Sequence, residues 1–350
     1  MGEILYRRGG SFAPDFSQLA CVLEGGVPSR PTLFEYGVND RLAGRLSGIP
    51  EADPSDRLSQ FIRQIRAFTH AGYDYTTLSA WRTNTLSFPK GGAEKKASIS
   101  QNAAPVITDR KSFEAYAWPD ADAGDYDIYH DLKRELPDGM KLIASGNGGL
   151  LENVVDLAGF ENLCFLYMLD EELATDLFEA VGSRLLRFYE IVSSIETVGA
   201  LIVNDDWGFK NQLMFPPEML RRWVFPWHKK MVEAIHASGK YAILHSCGRL
   251  HDVMEDVIDD LGYDAKHSFE DQIIPVEEFA GTWGARIAIM GGIDVDFLAR
   301  STPAEIRRRA IGLLEYQREH GGYALGSGNS IPDYIPDENF LAMVSSVDSL

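Results

Sequence analysis

Eight short apolar, β-prone runs recur along this chain, and segments with helical periodicity separate the later ones. The runs occupy residues 31–37, 73–81, 141–146, 200–204, 241–245, 264–269, 286–290 and 323–325. Strands that are apolar almost throughout are buried on both faces, which is the condition of a parallel sheet covered by helices. The helical segments carry their own punctuation. Leu220, Trp223, Val224, Trp227, Met231 and Ile235 recur at helical spacing and stop before Ser238-Gly239, with Pro226 as a point for a bend. Val253, Met254, Val257, Ile258 and Leu261 repeat the pattern before Gly262, and Leu173, Leu177, Val181, Leu185 and Tyr189 make one long amphipathic helix. Thr302-Pro303-Ala304-Glu305 joins an N-cap hydroxyl, a proline at the first helical position and a capping-box glutamate. Strands alternating with helices in this number predict an α/β fold, a single (β/α)8 TIM-type barrel over residues 31–350 with an N-terminal extension at 1–30. The turn-rich stretch 82–139, with Gly91-Gly92-Ala93-Glu94-Lys95-Lys96 inside it, predicts a long insertion between the second and third strands that covers the barrel mouth.

Charge narrows the partners. Lys and Arg total 33 against 52 Asp and Glu, a formal charge of −19, which argues against nucleic acid because phosphate contacts need concentrated Lys and Arg. A substrate bearing many carboxylates is disfavoured by the same field. Three distant cysteines, Cys21, Cys164 and Cys247, make no disulfide framework and fit a reducing compartment. The N-terminus has no apolar signal core and no run approaches membrane-spanning length, so a cytoplasmic protein without a membrane partner is expected.

In such barrels the chemistry sits at the carboxyl ends of the strands. Read in order, those ends carry Glu35, Tyr36 and Asn39; Ser79 and Trp81; Ser145 and Asn147; Asn204, Asp205 and Asp206; His245 and Cys247; His267, Glu270 and Asp271; Asp294; and Ser327 and Asn329. His245 and Cys247 are two apart where the fifth strand ends, so both side chains point the same way. Imidazole and thiolate are ligands that zinc favours, and a catalytic zinc takes three protein ligands and keeps one position open. A lone His-x-Cys also suits a core histidine beside a small buried thiol. Adjacent Asp205 and Asp206 repel each other, which raises one pKa toward that of a usable acid, although a solvated turn has the same sequence. The glycine turns Gly291-Gly292 and Gly326-Ser327-Gly328 fit either a phosphate cradle or the close approach of a ligand to the backbone.

The succession Asn204-Asp205-Asp206-Trp207-Gly208, Pro226-Trp227-His228-Lys229, His245-Ser246-Cys247-Gly248, His267-Ser268-Phe269-Glu270-Asp271 and Gly291-Gly292-Ile293-Asp294 resembles the uroporphyrinogen decarboxylase superfamily. The resemblance runs from about residue 30 to the end and is strongest in the second half. It implies a barrel with one of two activities: cofactor-free decarboxylation of uroporphyrinogen, or methyl transfer to or from the cobalamin of a separate corrinoid protein. The decarboxylases carry Met-Arg-Gln-Ala-Gly-Arg after the first strand, where this chain has Phe34-Glu35-Tyr36-Gly37-Val38-Asn39-Asp40. Their pyrrole-binding aspartate is also not evident in Thr77-Leu78-Ser79-Ala80-Trp81. The thiol-directed methyltransferases bind zinc through His-x-Cys and a distant cysteine. His245 and Cys247 match the first two ligands, while Ser327 stands at the third in Leu325-Gly326-Ser327-Gly328. The resemblance therefore implies a carboxylate as replacement ligand, with Glu35 and Glu270 as candidates, and an oxygen ligand makes the metal harder.

Three readings follow. The first is a zinc-dependent methyltransferase working with a corrinoid protein on a small methylated substrate such as a methoxylated aromatic, in an O-demethylation. There Asp205, Asp206 or His267 supplies a proton, and Tyr36, Asn39, Trp81, Asn147, Trp207, Ser327 and Asn329 bind substrate. The second is a carboxy-lyase of the tetrapyrrole type, and the third a non-catalytic barrel that binds a corrinoid or tetrapyrrole. The superfamily's habit of pairing barrels implies a homodimer.

Overall fold

Seven strands line up in chain order and all run parallel: β1 (Tyr75–Ser79), β2 (Lys141–Ser145), β3 (Val198–Asn204), β4 (Tyr241–His245), β5 (Ala265–His267), β6 (Ala288–Met290) and β7 (Tyr323–Ala324). This computed structural model describes residues 4–9, 12–53, 55–83, 85–90 and 105–349, apart from the side chain of Trp81. Strand order without a crossover is the order of a TIM-type barrel. The strands are buried along almost their whole length, as nearly continuous apolar runs require.

The first of the eight expected strands is the exception. Residues 31–37 form only a single parallel bridge, Leu33 with Leu325. Phe34 N donates to Leu325 O at 2.7 Å and Leu325 N to Thr32 O at 3.0 Å, which joins this segment to the end of β7 and curls the sheet round. On its other side one side chain replaces a ladder. The Tyr75 hydroxyl of β1 accepts from Glu35 N at 2.5 Å and donates to Glu35 O at 2.8 Å. The rings of Phe34 and Tyr75 stack beside this contact with centroids 5.6 Å apart.

Helices form the outer layer. The long one, Glu171–Ser193, is N-capped by Asp170, and Pro303–His320 opens with the expected capping box between Thr302 and Glu305. The helix across Pro226 is interrupted as expected. Proline has no N–H to return to the preceding turn, and the backbone widens to a π-helix over Leu220–Val224 before the regular helix Phe225–Ala237. The pattern at 253–261 forms a continuous helical stretch over residues 251–260, which opens as a 3-10 turn, His251–Val253, and closes as a wide π turn, Asp256–Asp260. Between β1 and β2 lie short helices such as Arg110–Ala115 and Asp127–Asp131. Residues 91–104 of the expected excursion lie outside the described residues. Ahead of the sheet, the helix Phe16–Leu23 packs Phe16 against Gly199 of β3, where a Cβ would meet the ring at 2.5 Å. Among the described residues, no helix is long and apolar enough to cross a membrane.

Replacing Tyr75 by Phe removes a hydroxyl that serves two buried backbone groups of Glu35. We expect Tyr75→Phe to cost about 1–3 kcal/mol of stability, read as a lower denaturation midpoint with an unchanged slope. An unchanged midpoint would show that the seam does not depend on this hydroxyl.

Candidate metal centre

The register of the sheet places Asn204, His245 and His267 side by side at the carboxyl ends of β3, β4 and β5. Beyond β4 the chain turns at Gly248, whose φ is +85° and where a Cβ would lie 2.1 Å from Gly208 O. Only glycine fits both that conformation and that approach. The loops after β3 and β4 are thereby held backbone to backbone, with Arg249 N donating to Phe209 O at 2.9 Å. Asp206 arrives beside Cys247 and accepts from Cys247 N at 2.8 Å.

One ligand atom each of Asp206, His245 and Cys247 lies within 4.8 Å of the others. Cys247 Sγ is 3.9 Å from His245 Nε2, where tetrahedral zinc with ordinary bond lengths requires about 3.6 Å between its N and S ligands. The imidazole is buried while Asp206 and Cys247 are partly exposed, so the donors converge from below and one side stays accessible. These residues fit zinc with three protein ligands and an open position. The carboxylate that lies with the His-Cys pair is that of Asp206. Glu35 and Glu270 do not join the cluster. Glu270 is exposed, and Glu35 turns to Ser327, whose hydroxyl lies 2.6 Å from Glu35 Oε1.

Burial sets the protonation of the centre. It pushes the His245 imidazole down to about 4 and the Cys247 thiol up to about 12, with Asp206 adding to the latter. Both groups are therefore neutral at pH 7 even with Lys266 near, and a dication would supply the charge that a thiolate needs. His245 Nδ1 lies 2.7 Å from His267 Nδ1. If Nε2 of His245 is to face a metal, its proton belongs on Nδ1 and His267 accepts it, which fixes the tautomer and the ring. Burial holds His267 well below the ordinary imidazole range, which leaves its Nδ1 able to accept that proton. Tyr36 stacks on His245 with centroids 4.6 Å apart and rings inclined at 20°, and thus walls the centre as an aromatic substrate contact should.

Other expected residues have structural work. The Asp205 carboxylate is fully buried and faces four donors: Leu151 N and Glu152 N at 3.0 Å, Trp207 Nε1 at 2.9 Å and His228 Nε2 at 3.0 Å. Fully buried and so engaged, this carboxylate is not open to a substrate. Trp207 is fully buried against Phe225 and His228, so it belongs to the core and not to a substrate wall. Asn39 caps the helix Asp40–Ser47 through Leu42 N and donates to Pro332 O. Asn147 donates to Leu86 O at 3.3 Å. Asn329 Nδ2 lies 3.6 Å from Cys247 Sγ, beside the centre as expected. Trp81 sits in the short helix Ala80–Thr83, and its side chain lies outside the described residues.

The mouth holds two cavities. One of about 600 Å³ is lined by Tyr36, Asn39, Gln64, Ser79, Arg82 and Ser145, among others. The second, about 330 Å³, has Glu270, Asp294, Asn329 and Tyr334 on its wall. Three residues near the centre escaped sequence reasoning. Glu152 is held by Gly149 N at 2.7 Å and is pushed up to about 8 by burial, with Asp205 and Asp206 next in effect. Ser268 stands at φ +84°, the one non-glycine residue with positive φ among those described, and its hydroxyl points to Cys247 Sγ at 3.2 Å. Such a conformation costs about 1–3 kcal/mol and collects at functional sites. Lys266 is buried in β5. A lysine inside an apolar strand run was a signal that could have been read, whereas nothing in the sequence marks the backbone of Ser268.

Residues 96–350 match the family Uroporphyrinogen decarboxylase (URO-D). No curated protein matches the chain by sequence. Among solved structures, a methyltransferase from Methanosarcina mazei superposes with a TM-score of 0.74 at 16% identity, over 95% of this chain and 98% of that one. A sugar phosphate isomerase/epimerase from Parabacteroides distasonis gives a TM-score of 0.42 at 12% identity, over 90% and 97%.

Burial raises the Glu35 carboxyl to about 8 from its ordinary 4.5. The folded state therefore keeps a proton that the unfolded chain loses, and this contribution to stability is full below about pH 4.5 and lost as pH rises toward 8. Glu35→Gln should remove that pH dependence, so that denaturant titrations at about pH 5 and about pH 8 differ less than in the unaltered protein. Zinc uptake should stay the same; its loss would return Glu35 to the ligand set.

Proposed function

The chain belongs to the uroporphyrinogen decarboxylase (URO-D) family, and from that premise we propose that it is a zinc-dependent methyltransferase. It moves a methyl group between a small methylated substrate, of the methoxylated aromatic kind, and the cobalamin of a separate corrinoid protein. The observation that carries this reading is the convergence of Asp206, His245 and Cys247 on one point at the barrel mouth. A cofactor-free decarboxylase has no need of a sulfur, a nitrogen and an oxygen donor facing one another.

Each neighbouring residue has a part in such a transfer. Asp206, His245 and Cys247 would hold zinc, which would supply Lewis-acid polarisation to an ether oxygen that departs as the methyl carbon is attacked. Asp206 and His245 fix its place, Tyr36 offers an aromatic face to a flat substrate, and the cavity of about 600 Å³ next to Tyr36 has the volume of a small-molecule site. A proton for the departing oxygen has a source in Glu152, whose carboxyl burial raises to about 8 and which meets Asn204 Nδ2 at 3.4 Å beside the centre. The acidic side chains Glu270 and Asp294 on the second cavity oppose a substrate with many carboxylates. The Methanosarcina neighbour that shares the fold is itself called a methyltransferase, which agrees with the class. A cytoplasmic, homodimeric protein belongs to the same reading.

Two measurements test it. Purified protein should take up one equivalent of zinc. Asp206→Asn, His245→Ala and Cys247→Ser should each weaken that uptake about tenfold or more, and Glu270→Gln should leave it alone. With zinc, a methoxylated aromatic and cob(I)alamin, the unaltered protein should yield methylcobalamin by its absorption spectrum. Coproporphyrinogen formed from uroporphyrinogen, with no dependence on His245, would replace the methyltransferase by a carboxy-lyase.

A further inference from the structure

Lys266 and Ser268 form a chain of contacts that ends on the sulfur of the candidate centre. Strand alternation turns the side chain of Lys266 away from that of His267 and toward the helix Val276–Trp283. There the Nζ lies 4.2 Å from the Phe269 ring centre and 5.6 Å from that of Phe279. No carboxylate lies within ion-pair distance of it among the described residues. Its hydrogen-bond acceptors are backbone carbonyls: Ser268 O at 2.5 Å and His267 O at 3.4 Å. An ammonium group buried at such a cost needs a reason.

The backbone of Ser268 supplies it. At φ +84° the residue aims its carbonyl outward to Lys266 and its hydroxyl inward to Cys247 Sγ at 3.2 Å. We propose that Lys266 is a positioning residue for the thiol ligand: it holds Ser268 in the left-handed conformation, and the Ser268 hydroxyl then orients the Cys247 sulfur toward the metal. This rests on the reading of Cys247 as a ligand. Lys266 touches neither metal nor substrate. Its effect reaches the centre through two hydrogen bonds, in the way that outer contacts orient metal ligands.

The test uses the full chain with zinc and cobalt(II) as probes. Zinc affinity is measured against a chromophoric chelator, and the cobalt form is read by its thiolate-to-cobalt charge-transfer band, which a purely structural role would not move. Ser268→Ala and Lys266→Met should each weaken zinc binding about tenfold or more and alter the band. The double variant should bind no more weakly than Ser268→Ala alone, because both act along one chain of contacts. Lys266→Arg, which keeps a donor, should recover most of the affinity. If Lys266→Met does not fold, Ser268→Gly remains informative. Glycine accepts φ +84° without strain, so this variant should fold at least as well and still bind zinc weakly. Unchanged zinc affinity in Ser268→Gly, an unchanged cobalt spectrum in Lys266→Met, or a double variant whose loss is the product of the two singles overturns the proposal. An unaltered chain that takes up neither metal overturns the reading of the centre itself. One that takes up both but ignores Lys266 and Ser268 overturns only the positioning role.

Discussion

The Asp205 carboxylate fixes where everything at the barrel mouth sits. It lies at the start of the helix Leu150–Ala158, where the N–H groups of Leu151 and Glu152 are without partners in their own helix, and it satisfies both. The same oxygens hold the Trp207 indole and His228, which comes from the helix Phe225–Ala237. A carboxylate facing His228 Nε2 requires a proton there, and His228 Nδ1 meets the Tyr263 hydroxyl at 2.7 Å. One buried charge thus ties β3 to two helices and, through Asp205 N and His245 O at 2.9 Å, to the end of β4. With Asp205 turned into the body of the protein, the next residue faces the other way. Asp206 reaches the mouth because Asp205 cannot.

Around that anchor, burial removes charge from nearly every ionisable group of the centre. His245 and His267 are pushed toward neutral imidazole, Cys247 toward neutral thiol, and Glu35 toward a protonated acid. The directions differ in sign and share one cause, the loss of solvent. A cluster poised in this way is held together by hydrogen bonds between neutral groups, such as the His245–His267 contact. It gains its charge when a cation enters and the thiol gives up a proton. Lys266 departs from the pattern only in part, since burial lowers it to about 8, not far enough to make it neutral at pH 7.

The sequence carried the architecture well and the site unevenly. Seven of the eight apolar runs became strands because nearly continuous Val, Ile, Leu and Ala have few other places to go than a covered parallel sheet. Residues 31–37 failed as a strand because Tyr75 supplies by its side chain the bonds that a neighbouring backbone would have supplied. His245 and Cys247 were legible from a spacing of two at a strand end. Asp205 and Asp206 were legible as a pair but not as individuals, since the division of labour between them is decided by helix Leu150–Ala158, some 50 residues away in the chain. Glu35 and Glu270 read as ligands only because each follows a strand. Tertiary structure sends one inward to Ser327 and the other out to solvent.

Ser327 shows why the donor set, and with it the chemistry, belongs to this chain and not to the fold alone. It stands where a third sulfur or nitrogen ligand could have come from the end of β7, yet its hydroxyl is shared between Glu35 Oε1 at 2.6 Å and Asn329 O at 3.0 Å. The Ser327 hydroxyl donates to Glu35 Oε1, and the side-chain amide of Asn329 approaches Cys247 Sγ. On the proposed reading the third donor would be the Asp206 carboxylate after β3, and a metal bound by one sulfur, one nitrogen and one oxygen would be harder than one bound by two thiolates. Under the proposed methyltransferase reading, a harder centre would draw charge from an oxygen leaving group more than it would activate a thiol, and a single serine after the last strand would then bear on which methyl compounds the site suits.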